Sequence, residues 1–138
     1  MEVKIEEIKK YYDDHKEIFK DLYNTVHILV KTEEEAKNII NKLEAGEDFE
    51  ELAKRHSFCP SNEKGGELGF FPKGLFVKEY EEEAYKLKNI GEITQPVKTQ
   101  FGYHIIKLVD KKEGYASLDE MKDVIKMIIE HQKNNNNY

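Results

Sequence analysis

The sequence predicts an α+β domain in which helices surround a four-stranded, mostly antiparallel sheet. Three observations point there. Short strand-like runs alternate with amphipathic stretches in the order helix, β-α-α-β-α-β-β, helix. Two capping boxes mark helix starts, and glycines punctuate the runs where helices and strands should stop. At 138 residues the chain is the size of one domain, or of one small domain with helical appendages.

The first stretch, residues 2 to about 19, sets Ile5, Ile8, Tyr12 and Phe19 on a near-heptad stripe, which predicts an amphipathic helix. Asp13-Asp14 interrupts it, so the helix ends near His15 or runs on to Leu22. His27-Ile28-Leu29-Val30 is a short apolar run suited to a buried strand. Thr32-Glu33-Glu34-Glu35 is a capping box, and the helix it opens places Ala36, Ile39, Ile40 and Leu43 on one face before Gly46. A second short helix starts at Asp48 with Phe49, Leu52 and Ala53 inward.

A loop from about Ser57 to Gly66 follows and ends in a flexible glycine pair. Residues 68–71 read as a strand and residues 77–87 as a third helix. Past Gly91, Ile93-Thr94-Gln95-Pro96-Val97 is a short extended run, and residues 103–109 form the clearest strand. Ser117-Leu118-Asp119-Glu120 is a second capping box. It opens a helix with Leu118, Met121, Val124, Ile125, Ile128 and Ile129 in its stripe, and four asparagines and Tyr138 end the chain as a disordered tail.

Composition narrows the function. A formal net charge of −6 opposes binding to phosphate-rich nucleic acid and to anionic membranes. The single cysteine, Cys59, cannot form an internal disulfide. No window is long or apolar enough for a transmembrane helix or a secretory leader. The expectation is therefore a cytoplasmic protein if the chain is full-length, or an extracytoplasmic one if it is cut from a longer exported protein.

Four residues of catalytic type fall in the predicted sheet and its loops: His27, Cys59, Thr99 and His104. Spacing alone leaves three readings open. Each histidine could be a satisfied core residue, since a buried imidazole needs only a hydrogen-bond partner. Cys59 with a histidine could form a nucleophilic dyad. A metal site is the weakest reading, because zinc sites usually carry close ligand pairs such as Cys-x-x-Cys and this sequence has none. No cofactor and no metal is expected.

Three blocks resemble the parvulin-type peptidyl-prolyl cis/trans isomerases. Val26-His27-Ile28-Leu29-Val30-Lys31 is similar to their opening strand. Ser57-Phe58-Cys59-Pro60-Ser61 followed by Gly65-Gly66-Glu67-Leu68-Gly69-Phe70-Phe71 is similar to their active-site loop and second strand. Residues 95–106, from Gln95-Pro96-Val97 through Phe101-Gly102-Tyr103-His104, are similar to their closing hairpin. The blocks stand in the family's order and spacing over about residues 26–110.

The resemblance implies a parvulin (FKBP-like) fold and isomerase activity. It implies that His27 and His104 pair beneath the active site, that Thr99 joins their hydrogen bonds, and that Cys59 takes the position held by Cys or Asp in the family. It implies further that Leu68, Phe76 and Tyr80 hold the substrate proline, with Phe101 on the rim; ordinary core is the competing reading of these four. Lys31 is followed directly by three glutamates, which would repel a phosphate dianion, so selection for a phosphorylated residue is not expected.

The implied partners are proline-containing unfolded or flexible polypeptides. The first and last helices resemble those that flank parvulin domains in exported PrsA- and SurA-like foldases. The expected layout is a helical extension over residues 1–24, an isomerase domain over 25–112 and a C-terminal helix with an asparagine-rich tail over 113–138. A weakly active or inactive domain serving as a chaperone-like binding module is the alternative function.

Overall fold

The structure, a computed structural model, describes residues 2–58 and 67–135, including all side chains there except those of Glu67, Leu68 and Asn135. Cys59, most of the predicted active-site loop and the last residues of the asparagine-rich tail lie outside the described residues.

Strands β1 (Tyr23–Val30), β2 (Glu67–Phe70), β3 (Val97–Thr99) and β4 (Gly102–Lys111) form one sheet in the order β2-β1-β4-β3, each neighbouring pair antiparallel. The helices are α1 (Ile5–Asp14), α2 (Glu33–Glu44), α3 (Phe49–His56), α4 (Lys78–Ala84) and α5 (Leu118–Asn135), with a 3₁₀ turn at Lys16–Phe19. The chain divides into two compact units. One comprises residues 23–70 and 74–111; the other comprises residues 1–22, 71–73 and 112–138.

In the sheet unit, alternation along β1 and β4 creates two apolar faces. Val26, Ile28, Val30 and Ile105 lie on one, packed with Ala36, Ile39 and Ile40 of α2 and Phe49, Leu52 and Ala53 of α3. On the other, Ile106 and Leu108 pack with Tyr80 and Ala84 of α4, Leu87 and Val97. His27 opposes Ile106 and Leu29 opposes His104 across the β1–β4 ladder, so both imidazoles belong to this second face. A slip of one residue would turn both onto the α2–α3 side.

Caps fix where helices begin. Thr32 Oγ1 accepts from the Glu35 amide and Asp48 Oδ2 from the Glu51 amide, each at 3.1 Å. The Ser117 box closes in both directions, with Ser117 Oγ accepting from the Glu120 amide and Glu120 Oε1 from the Ser117 amide. In the helical unit, Tyr12 Oη donates to Ala116 O at 2.7 Å and the Tyr12 ring stacks on Phe19 at 5.2 Å. Lys133 Nζ meets Glu7 Oε2 at 2.9 Å.

Several boundaries differ from the sequence reading. The first helix stops at Asp14 and passes into the 3₁₀ turn, and Ile5 is 67% exposed, so the buried stripe starts at Ile8. Strand β1 begins at Tyr23, four residues before the apolar run, because polar Thr25 is buried through a hydrogen bond to Tyr80. Helix α4 ends at Ala84 rather than Leu87. The amides of Lys86 and Leu87 bond to carbonyls three residues back, which tightens the last turn. Of the predicted extended run at residues 93–97, only Val97 belongs to a strand; Ile93 makes an isolated bridge to Lys107. Pro96 has no amide to offer a ladder.

Gly102 opens β4 at φ +137°, and a Cβ there would lie 2.5 Å from Val30 O. Gly91, at φ +95°, has no atom within 4 Å of the same added carbon. Left-handed backbone costs a non-glycine residue about 1–2 kcal/mol. Gly91→Ala is expected to lose about that much, and Gly102→Ala about 2–4 kcal/mol because backbone must also move. Urea unfolding of both variants checks the order; equal losses would remove the steric role of Val30.

Candidate active site

The sheet's second face brings three of the four predicted polar residues together. His27 Nδ1 and His104 Nδ1 lie 3.1 Å apart, with ring centroids 5.3 Å apart and planes tilted by 16°. Thr99, at the end of β3, places Oγ1 2.8 Å from His104 Nε2. The same Oγ1 accepts the Phe101 amide at 3.1 Å, tying the network to the β3–β4 turn. All three residues are buried, His27 at 5% exposure and His104 at 4%.

These contacts constrain the protons. A neutral imidazole has one N–H donor and one acceptor nitrogen. If the Thr99 hydroxyl donates to His104 Nε2, then His104 Nδ1–H donates to His27 Nδ1 and leaves the proton of His27 on Nε2. The chain from Phe101 N–H through Thr99 and His104 to His27 then runs head to tail. The opposite polarity would direct two donors at Thr99 Oγ1 and strand its own proton.

Burial pushes the pKa of His27 down to about 4, helped by the adjacent His104. Burial alone holds His104 at about 4. Both rings are therefore neutral throughout the physiological range, and the close Nδ1 pair needs that neutrality.

Aromatic packing encloses the pair. The Tyr80 ring stands edge-on to both imidazoles, 5.7 Å from His27 and 5.3 Å from His104. Its hydroxyl is 2.8 Å from Thr25 Oγ1, and Thr25 shares the His27 side of β1. Phe76 lies against Tyr80 at 4.9 Å and remains partly exposed, whereas Tyr80 is only 2% exposed. Glu81 holds Phe76 in place: its carboxylate accepts the amides of Gly74 and Phe76 at 2.9 and 3.1 Å. Phe101 is 54% exposed in the turn between β3 and β4.

Of the predicted site residues, His27, Thr99, His104, Phe76 and Tyr80 thus meet on one face, and Phe101 adjoins them through Thr99. Leu68 sits in β2, on the far side of β1 from β4, and its side chain is outside the described residues. Cys59 is outside them altogether. Sequence reasoning missed Thr25 and Glu81. Thr25 stands two residues before His27, the spacing that places residues on one side of a strand, so an earlier strand start would have found it. Glu81 carried no signal, since a glutamate inside a Glu-rich helix reads as a solvated surface residue.

Comparison with known proteins matches this arrangement to a family. Residues 18–110 match the rotamase model described as a PPIC-type PPIase domain. The chain belongs to the PPIC-type peptidyl-prolyl isomerases, the parvulins. It is 50% identical over 128 residues to the foldase protein PrsA of Geobacillus kaustophilus, covering 92% of this chain and 43% of that protein. It also resembles the crystal structure of the PrsA peptidylprolyl isomerase from Bacillus anthracis, with a TM-score of 0.68 and 46% identity over 91% of this chain and 58% of that one. The solution structure of NmPin, the parvulin of Nitrosopumilus maritimus, aligns at a TM-score of 0.60 and 45% identity, covering 65% of this chain and 97% of that one. The chain thus spans less than half the length of the curated PrsA relative, while it covers nearly all of the NmPin chain.

The parvulin site has a testable acid response. Folded pKa values near 4 lie below the ordinary histidine value of 6.5. As pH falls, the unfolded chain therefore binds protons first. The stability that depends on neutral imidazoles is complete above about 6.5 and drains away between 6.5 and about 4. NMR titration should show the His27 and His104 ring signals unchanged down to about pH 5, and titration of either near 6.5 would contradict the buried neutral pair.

Proposed function

We propose that this chain catalyses cis/trans isomerisation of X-Pro bonds in unfolded or flexible polypeptides, by non-covalent rotation and without selection for phosphorylated residues. The observation that carries this reading is Phe76, a partly exposed ring held by Glu81 against Tyr80 beside the neutral imidazole pair.

The reaction breaks no bond. Amide resonance opposes rotation with a barrier of about 18–20 kcal/mol. Each ~1.4 kcal/mol by which the twisted amide is favoured over the planar one raises the rate tenfold. Phe76 grips the proline ring and fixes one side of the rotor. Tyr80, too buried to offer much surface to a ligand, supports Phe76 from beneath. A water-poor surrounding disfavours the more polar planar amide.

The His27–His104–Thr99 chain is an orienting network in this reading, because the two rings are neutral and held in place by each other and by Thr99. Cys59, which follows Phe58 in the chain, takes an electrostatic role with no covalent adduct. Cys59→Asp should accordingly keep substantial isomerase activity.

The rival reading is a chaperone-like binding module, favoured by the half-exposed aromatics Phe58 and Phe101. Refolding of a protein limited by proline isomerisation separates the two. Acceleration by substoichiometric chain is the expected result, and Phe76→Ala should lower kcat/KM about tenfold with the fold intact. Suppression of aggregation only at stoichiometric amounts, with no acceleration, would establish binding in place of catalysis.

A further inference from the structure

We propose that Phe58 is a specificity-determining residue, whose ring takes a large apolar side chain of the substrate next to the proline; this rests on the isomerase reading above.

Phe58 lies where the chain leaving α3 meets the sheet. The pairing of β2 with β1 covers Asn24 to Val26, so Leu29 lies beyond it. Ser57 and Phe58 serve Leu29 instead: Ser57 Oγ accepts from the Leu29 amide and the Phe58 amide donates to Leu29 O, both at 3.0 Å. Ser57 is buried at 5% exposure, so the backbone under Phe58 is anchored. The ring is not buried with it, for Phe58 is 45% exposed.

Gly102 shows where the ring lies. A Cβ on Gly102 would be 3.4 Å from Phe58 Cζ and 3.4 Å from Leu29 Cδ1. Leu29 opposes His104, and Gly102 precedes His104 by two residues on β4, so all three share one face of the sheet. The tip of Phe58 therefore reaches the imidazole face and covers the glycine. A Cβ at position 102 would touch the ring at contact distance and collide with Val30 O.

The placement suits a neighbour of the bound proline. Phe76 marks one end of the site through Tyr80, and Phe58 lies at the other, past His104 by two strand residues, about 7 Å. An extended peptide advances about 3.3–3.6 Å per residue, so a chain with its proline on Phe76 that runs over the imidazoles carries a neighbouring side chain towards Phe58. Phe101, also half exposed, directly precedes Gly102 and adds a second ring to the same turn. An aromatic ring on an anchored backbone loses little entropy when a ligand covers it, and covering it removes apolar surface from water. Leucine or phenylalanine fits that demand, whereas a carboxylate would lose hydration against the rings without a partner.

The test measures kcat/KM of the wild-type chain on tetrapeptides carrying Ala, Leu, Phe or Glu directly before proline, and then the same four directly after it. At one of the two positions, Phe and Leu should exceed Ala by about three- to tenfold, with Glu lowest. Phe58→Ser should bring those ratios close to one by raising KM for the Phe and Leu peptides, and Phe58→Leu should restore most of the preference. Circular dichroism confirms that each variant is folded. A wild-type chain with no preference at either position, or a preference that Phe58→Ser leaves intact, would overturn the assignment. If the wild type turns over none of the peptides, the isomerase reading fails separately; NMR titration of the same peptides then decides selectivity at Phe58 by the same ratios.

Discussion

Two imidazoles buried side by side can share a hydrogen bond between their Nδ1 atoms only while at least one of them is uncharged, and burial favours the neutral form of both. At 3.1 Å, His27 and His104 satisfy that condition, and the surrounding structure maintains it. The β1–β4 register places the two rings on one face. The Thr99 hydroxyl occupies the outer nitrogen of His104, and the Tyr80 ring packs nearly perpendicular to both imidazoles. Loss of any one contact leaves a buried polar atom unpaired, which is more damaging than the loss of one hydrogen bond in water.

From this follows a division of labour across the sheet's second face. At its centre polar side chains bond to one another: Thr25 with Tyr80, His27 with His104, and His104 with Thr99. Its margins carry aromatic rings on anchored backbone, Phe76 under the control of Glu81 and Phe58 under that of Leu29. In the proposed function, the polar centre sets the shape of the site and the rings at the margins meet the polypeptide. The arrangement suits a reaction that turns a bond without breaking one, since nothing at the centre needs to move a proton.

Much of this is legible in the sequence, and what is not has a physical reason. Glycine punctuation and capping boxes reveal the order of elements, and the matching blocks single out His27, Thr99 and His104. The sequence pattern makes β1 too short because Asn24 and Thr25 look like loop residues; the tertiary bond from Thr25 to Tyr80 satisfies the buried hydroxyl. The pattern puts the end of α4 too late because its apolar stripe continues to Leu87, which packs in the core from a tightened turn. Tyr80 is more buried than its implied place against the proline suggests, since its hydroxyl bonds to Thr25 and its ring packs on Phe76. Phe58 stands in the matching loop block, but its contact with Gly102, over forty residues away, is a tertiary feature that no local pattern shows.

The central claim is that the imidazole pair orients the site as neutral rings and transfers no proton during turnover. A pH–rate profile of isomerisation tests it most directly, read between about pH 5 and 7.5 on an uncharged proline peptide. With folded pKa values near 4 for both histidines, kcat/KM should be flat across that window. An inflection near 6.5 that disappears when His27 or His104 is replaced would contradict the claim and make one of the rings a proton-transferring group.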